Sequence, residues 1–249
     1  MLPAGAVRQL TALADELVSK AFLFVPATLT CPLLGDSASA DWPAFAQSWD
    51  RLELDTYMGD GGRYRRRRYA TLAAIAHSAD LQTQPHQPHY QSLDYNRLNG
   101  GIARHFAPVE DAVLAGPAMQ ASLSAGLVIF QALHPGRAAH IEVHQFRIEA
   151  RAGALGQPTP EGKHRDGVDF VLVMMVRRSN VARGTTEIFD TAGARIDSFT
   201  LTEPGDMALV DDHRALHGVT PVSPVDATRP AWRDVLVATY RAAGERSAS

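Results

Sequence analysis

The run Pro160-Glu161-Gly162-Lys163-His164-Arg165-Asp166-Gly167-Val168-Asp169-Phe170-Val171-Leu172-Val173-Met174-Met175-Val176 changes character halfway along. Its first part is polar and turn-forming. From Asp169 to Val176 both faces of an extended segment are apolar, and the β-branched content favours a deeply buried strand over a short buried helix. Just before that strand, His164 and Asp166 stand two residues apart, so an extended backbone points both side chains to one side. A second imidazole follows in Asp211-Asp212-His213-Arg214-Ala215-Leu216-His217-Gly218-Val219. Two histidines and one aspartate brought together would present a three-ligand face to a metal and leave the opposite positions open.

Working outward, the pattern is one of short strands. Thr185–Phe189, Ser198–Leu201, Asp206–Val210, Gly218–Val222 and Asp234–Tyr240 are divided by turn signals at Asn180, Asp190 with Gly193, and Pro204-Gly205. Upstream, Ala139–Glu149 alternates with period 2. It sets Ile141, Val143, Gln145 and Arg147 on one face and His140, Glu142, His144, Phe146 and Ile148 on the other. Both faces mix polar and apolar residues, as expected of a strand lining a polar cavity. Many short strands with Gly and Pro turns predict a mainly β fold with α-helices, a jelly-roll barrel buttressed on one side by helices.

The helices come earlier. Val7, Leu10, Leu13, Ala14, Leu17 and Ala21 recur at three- and four-residue steps and predict an amphipathic helix over about Pro3 to Phe22. Pro26, Pro32, Gly35 and Ser37 break that pattern, and Asp41 is placed to cap a short helix running to Trp49. Pro108 to Leu133 reads as helical, with Pro117 as a fresh start. The His-, Tyr-, Asn- and Gly-rich stretch from Pro85 to Pro108 reads as loops at the rim of a site. The whole chain, 1–249, reads as one domain, with 1–55 as a helical packing segment and 139–241 as the barrel core.

Arg63-Tyr64-Arg65-Arg66-Arg67-Arg68-Tyr69 invites a nucleic-acid reading, with arginines on phosphates and tyrosines under bases. A net charge of -3 argues against it, because such runs become convincing within a wider basic surface. A strand with solvated or ion-paired arginines is the plainer expectation. An arginine turned inward to hold a small carboxylate is the third. With 45% hydrophobic and 20% charged residues the composition is that of a globular protein, and no apolar run is long enough to span a membrane. Cys31, the single cysteine, has no internal partner, and the N-terminus shows no secretory pattern. The expectation is a cytoplasmic protein acting on a small molecule, without nucleic-acid or membrane partners, with self-assembly left open.

The third metal ligand must come from a distant strand. His217 lies 217 − 164 = 53 residues from His164, room for about four short strands, and sits between Leu209-Val210 and Gly218-Val219-Thr220-Pro221-Val222. His213 competes, since His213-X-X-X-His217 on a helix would make a zinc pair. The strand-like segment before it, and Gly218 and Pro221 after it, oppose a helix and favour His217. His140 and His144 share a strand face; His77, His86, His89, His105 and His134 read as loop or surface residues.

Together these segments resemble a known family. Pro160–Val171, Glu203-Pro204-Gly205-Asp206-Met207, His217–Val222 and Arg233-Asp234-Val235-Leu236 are similar to the bacterial 2-oxoglutarate/Fe(II) dioxygenases that include L-isoleucine 4-hydroxylase, over about Tyr90 to Tyr240. The resemblance implies a double-stranded β-helix (jelly-roll, cupin-like) core, with Fe(II) held by His164, Asp166 and His217. It further implies 2-oxoglutarate and O2 as co-substrates, with succinate and CO2 as products. The far carboxylate of 2-oxoglutarate would meet an arginine of the last strand. Arg233 shares the parity of Val235 and Val237 and is the first choice; Arg229, before Pro230, is the second. Thr220 or Thr239 is placed to add a hydroxyl.

Relatives of this kind hydroxylate free L-amino acids, so the resemblance implies such a substrate. Its carboxylate, ammonium and side chain would need a cation, an acceptor and an apolar wall. Arg104, Glu142, Gln145 and Arg147 are the polar candidates, and Phe106 and Phe170 the wall candidates. The rival expectation is a non-redox metal-binding jelly roll or an isomerase.

Overall fold

The computed structural model describes residues 2–244. The helices are α1 (Ala6–Lys20), α2 (Ala27–Leu34), α3 (Asp36–Gln47), α4 (Asp111–Leu114) and α5 (Pro117–Leu133). The early strands are β1 (Phe22–Val25), β2 (Glu53–Leu54), β3 (Arg65–Ala74) and β4 (Gln82–Thr83). Then come β5 (Ala139–Ala150), β6 (Phe170–Ser179), β7 (Val181–Arg183), β8 (Thr186–Asp190) and β9 (Arg195–Phe199). The last are β10 (Met207–Asp211), β11 (Ala215–Val219), β12 (Val222–Pro224) and β13 (Ala231–Ala242).

An eight-stranded antiparallel sheet runs β1-β10-β6-β13-β5-β3-β2, with β4 on β3. A three-stranded sheet, β11-β8-β9, and the pair β12-β7 make the opposing wall. This is the expected jelly roll. The cavity between the walls is lined by β5, β6, β10 and β13 on one side and by Thr186, His217 and Val219 on the other. The large sheet is split by period 2 into two chemistries. Ile141, Val143, Leu172, Met174, Met207, Leu209, Leu236, Ala238 and Tyr240 join the apolar cluster under α1, α3 and α5. Their neighbours of opposite parity face the cavity.

Several expectations need correction. The first helix stops at Lys20, short of the expected Phe22, where Ala21 turns with φ 66° and sends the chain into β1, an edge strand on β10. Pro32 lies inside α2 and does not end it. Asp41 sits within α3 and caps another helix, its carboxylate accepting the Ala118 N–H at the start of α5 (3.0 Å). The barrel is not confined to 139–241, because β3 pairs with β5 over ten residues from Arg65↔Ile148 to Ala74↔Ala139. Pro117 does open α5, as its ring favours at a first helical position. Among the described residues no helix is long and apolar enough to cross a membrane.

Candidate metal centre

His164 and His217 belong to different stretches, yet their main chains exchange two hydrogen bonds, N–H to carbonyl in each direction at 3.0 Å. This isolated antiparallel bridge sets the imidazole centroids 4.6 Å apart. His164 thus lies just before β6, on a loop pinned to β11. The Asp166 carboxylate lies 3.8 Å from His164 Nε2 and 3.6 Å from His217 Nε2. These separations exceed hydrogen-bonding distance, and one ligand atom from each residue lies within 4.8 Å of the others. His164 Nδ1 lies 3.1 Å from the Gly162 carbonyl. A proton on Nδ1 satisfies that contact and leaves the Nε2 lone pair facing Asp166. Arg165, between the two, is exposed and turned away.

The electrostatics suit a cation. Burial works against a charge on His164, but Asp166 and Glu161 outweigh it and hold its pKa above the ordinary value. Burial and His164 together push His217 down to about 4, against the pull of Asp166. A metal ion takes both imidazoles neutral and relieves that competition.

Asp212, which sequence reasoning passed over, organises the loop. Its carboxylate accepts the N–H groups of Asp166 (2.9 Å), Gly167 (2.7 Å) and Val168 (3.1 Å). It is buried, and burial together with the nearby Asp166 charge raises its pKa to about 6. Gln91 also escaped notice; its amide donates to Asp166 Oδ1 (3.2 Å). His213 is directed elsewhere, with Nε2 3.0 Å from Asp169 Oδ1, and takes no part in the cluster.

Arg233 lines the same cavity from β13 and is 2% exposed; its Nε has no hydrogen-bond partner among the described residues. Burial and the neighbouring Arg178 lower its pKa to about 10, partly offset by Asp234. A buried, still-charged guanidinium without a counter-ion is a site for an anion. Arg229 instead closes an exposed turn through its N–H to Asp226. Thr239 reaches the cavity, whereas the Thr220 hydroxyl accepts the Thr185 N–H.

The substrate candidates divide. Arg104 and Glu142 line the cavity. Gln145 and Arg147 do not, because their parity places them on the helix side of β5. There Gln145 donates to Ser48 Oγ (2.9 Å), and Arg147 grips Asp234 with two 2.7 Å bonds. Phe170 is also on that side, stacked on Tyr240 with centroids 4.6 Å apart, and Val171 and Val173 take its expected place in the wall. Phe106 lies beneath the Arg67 guanidinium at 3.7 Å.

The arginine run is split by the same alternation. Arg65 and Arg67 are buried and face the cavity, sharing Asp55. Arg66 pairs with Glu149, and Arg68 with Glu53 and Glu110.

A second group of suitable atoms, His89, Glu142 and His144, lies in the same cavity. It does not suit a metal. Arg67 Nη2 sits 2.6 Å from His144 Nδ1, and because a guanidinium only donates, Nδ1 must accept and the ring proton must be on Nε2. The ring therefore has no lone pair left for an ion. Burial and Arg67 also keep its pKa well below the ordinary value.

The jelly roll, the two-histidine, one-carboxylate cluster and the inward arginine define a mononuclear iron oxygenase arrangement. The family model for 2OG-Fe dioxygenases matches residues 46–239, and the chain belongs to that family. It is an oxidoreductase that uses Fe(II), 2-oxoglutarate and O2, which sets aside the non-redox and isomerase alternatives. The 3(1)-hydroxy-L-isoleucine 4-dioxygenase of Pantoea ananatis is 26% identical over 205 residues, 81% of each chain. The L-isoleucine-4-hydroxylase of Bacillus thuringiensis is 27% identical over 198 residues, 76% of this chain and 78% of that one. The crystal structure of a bsmA homolog from Methylobium petroleophilum PM1 superposes with a TM-score of 0.86 at 37% identity, covering 99% of this chain and 97% of that one.

Proposed function

We propose that the protein hydroxylates an unactivated C–H bond of a free aliphatic L-amino acid, with His164, Asp166 and His217 as the iron ligands and Arg233 as the anchor of 2-oxoglutarate. The carrying observation is that the three ligand residues and Arg233, whose Nε has no partner among the described residues, line one cavity. The donor set fits ferrous iron, which accepts imidazole and carboxylate and keeps positions free for co-substrates. Bound there, iron with 2-oxoglutarate and dioxygen supplies the oxidising power, and succinate and CO2 leave as products.

The chain's own residues supply placement. Asp212 holds the loop that carries Asp166, and the His164–His217 bridge fixes the spacing of the imidazoles. Arg233 orients 2-oxoglutarate by its far carboxylate, and Thr239 lies on the same strand face. Val171, Val173, Val210, Val235 and Val237 form an apolar wall that excludes water and accepts an aliphatic side chain. The amino-acid class is supported by the two hydroxy-isoleucine and isoleucine dioxygenases to which the chain is similar. The reading is of a cytoplasmic enzyme, in keeping with its single free cysteine.

The test is succinate formation with Fe(II), 2-oxoglutarate and a panel of free L-amino acids. One or more aliphatic members should raise it well above the substrate-free rate, and His164→Ala or Asp166→Ala should abolish the increase. Wild-type turnover in either variant would overturn the ligand assignment.

A further inference from the structure

Two buried groups of opposite charge in the cavity remain unsatisfied. Arg104 is 2% exposed, yet among the described residues its Nε has no partner and its one side-chain hydrogen bond is Nη2 to Gln91 Oε1 at 3.4 Å. Burial and the adjacent Arg65 both disfavour its charge. Glu161, in the turn before His164, has a side chain only 10% exposed. Its Oε1 lies 3.7 Å from His164 Nε2, and its Oε2 is buried without a partner. Both residues line the cavity and each acts on the other electrostatically, but they form no ion pair. A buried cation and a buried carboxylate that face one space without meeting cost free energy unless something bridges them.

The bridging molecule must carry both charges. We propose that Arg104 and Glu161 form a clamp for the main-chain zwitterion of the substrate, Arg104 taking the α-carboxylate and Glu161 the α-ammonium. This rests on the amino-acid reading above and sharpens it, because the clamp admits free α-amino acids and rejects the same side chain in peptide linkage. Glu142, the other acid in the cavity, is already engaged. Tyr69 Oη donates to its Oε1 (2.9 Å), and His89 Nδ1 lies 3.2 Å from its Oε2. The neighbouring imidazoles of His140, 3.7 Å from its Oε1, and His89 outweigh burial and hold its pKa well below the ordinary value. Arg67 already donates to His144 (2.6 Å) and lies 3.7 Å from Asp55, although its Nε has no partner among the described residues. Gln91 bonds both Arg104 and Asp166, so the carboxylate end of the clamp is tied to the metal loop.

The test uses the full chain loaded anaerobically with Fe(II) and 2-oxoglutarate. L-valine, L-leucine, L-isoleucine, L-methionine and their N-acetyl and methyl-amide derivatives are titrated against its visible absorption, with succinate formation measured in parallel. Wild type should respond to a free amino acid and not to its blocked forms. Glu161→Gln and Arg104→Met should each raise Kd for the free amino acid about 10- to 100-fold, the scale of a lost hydrogen bond to a charged group. KM for 2-oxoglutarate should stay unchanged. Glu161→Gln should also narrow the preference over the N-acetyl form, and Arg104→Met that over the amide. Should Arg104→Met not fold, Arg104→Lys keeps the charge without the fork and should weaken binding less. If a free amino acid is turned over and Glu161→Gln leaves its Kd unchanged, or if wild type binds the N-acetyl form equally well, the clamp is wrong and the amino-acid reading stands. If no free amino acid perturbs the spectrum or yields succinate, both fail.

Discussion

His164 and His217, 53 residues apart in sequence (217 − 164), are hydrogen-bonded to each other through both main chains at 3.0 Å. The spacing of the two proposed metal-binding imidazoles is thus set by backbone pairing, and side-chain packing need only orient the rings. A rigid pair leaves Asp166, on the far side of one intervening residue, as the proposed ligand whose placement needs further support.

That support is Asp212. Asp212→Ala removes the acceptor of three N–H groups, including that of Asp166. Iron affinity should fall about 10- to 100-fold, as when other groups that orient metal ligands are lost. Asp212→Asn, which keeps one acceptor oxygen, should fall between. Fe(II) titration at fixed 2-oxoglutarate reads the difference.

Arg233 should govern 2-oxoglutarate alone. Its replacement by Met should raise KM for 2-oxoglutarate by about 100-fold or more, because a charged, bidentate contact is lost. Arg233→Lys restores charge without the fork and should recover part of it. Arg229→Ala, in the exposed turn, should leave that KM at the wild-type value.

The chemistry of these residues was legible where local context was sufficient. His217 stood out over His213 because strand-like residues and Gly218 surround it, and Arg233 because it shares parity with Val235 and Val237. Parity alone does not say which face looks inward. Gln145 and Arg147 were correctly separated from Glu142 and His144, yet both faces of β5 carry polar groups. Only the docking of Ser48, just past α3, and of Asp234 assigns them outward. Phe170 was ambiguous for the opposite reason, since β6 is apolar on both faces. Asp212 and Gln91 act through contacts that the fold creates, 46 and 75 residues away along the chain, and no local pattern marks them.

Acid stability should depend on Asp55. Burial disfavours its charge, but Arg65 and Arg67 outweigh this and hold its pKa below the ordinary carboxylate value. A depressed folded-state pKa contributes stability that is fully present above the unfolded value, near about 4, and is lost as pH falls through the folded one. Asp55→Asn should cost about 3–5 kcal/mol at neutral pH, the scale of a broken buried pair, and flatten the acid limb of the unfolding profile. Denaturant titration between neutral and acid pH measures both.

Gly126 lets α5 settle onto β13. A Cβ there would collide with the Tyr240 ring and hydroxyl, and that hydroxyl donates to Leu123 O at 2.8 Å. Gly126→Ala should destabilise the fold by about 1–3 kcal/mol through overpacking, despite the better helix propensity of alanine. The thermal midpoint should fall while iron stoichiometry in the folded protein stays the same.

The most direct test of the central claim is an anaerobic Fe(II) titration in the presence of 2-oxoglutarate, followed by the weak visible charge-transfer absorption. One equivalent should develop the band in wild type and in His213→Ala, and none should develop it in His217→Ala or Asp166→Ala. A band that survives His217→Ala, or that disappears only when His89 or His144 is replaced, would contradict the assignment of the metal to His164, Asp166 and His217.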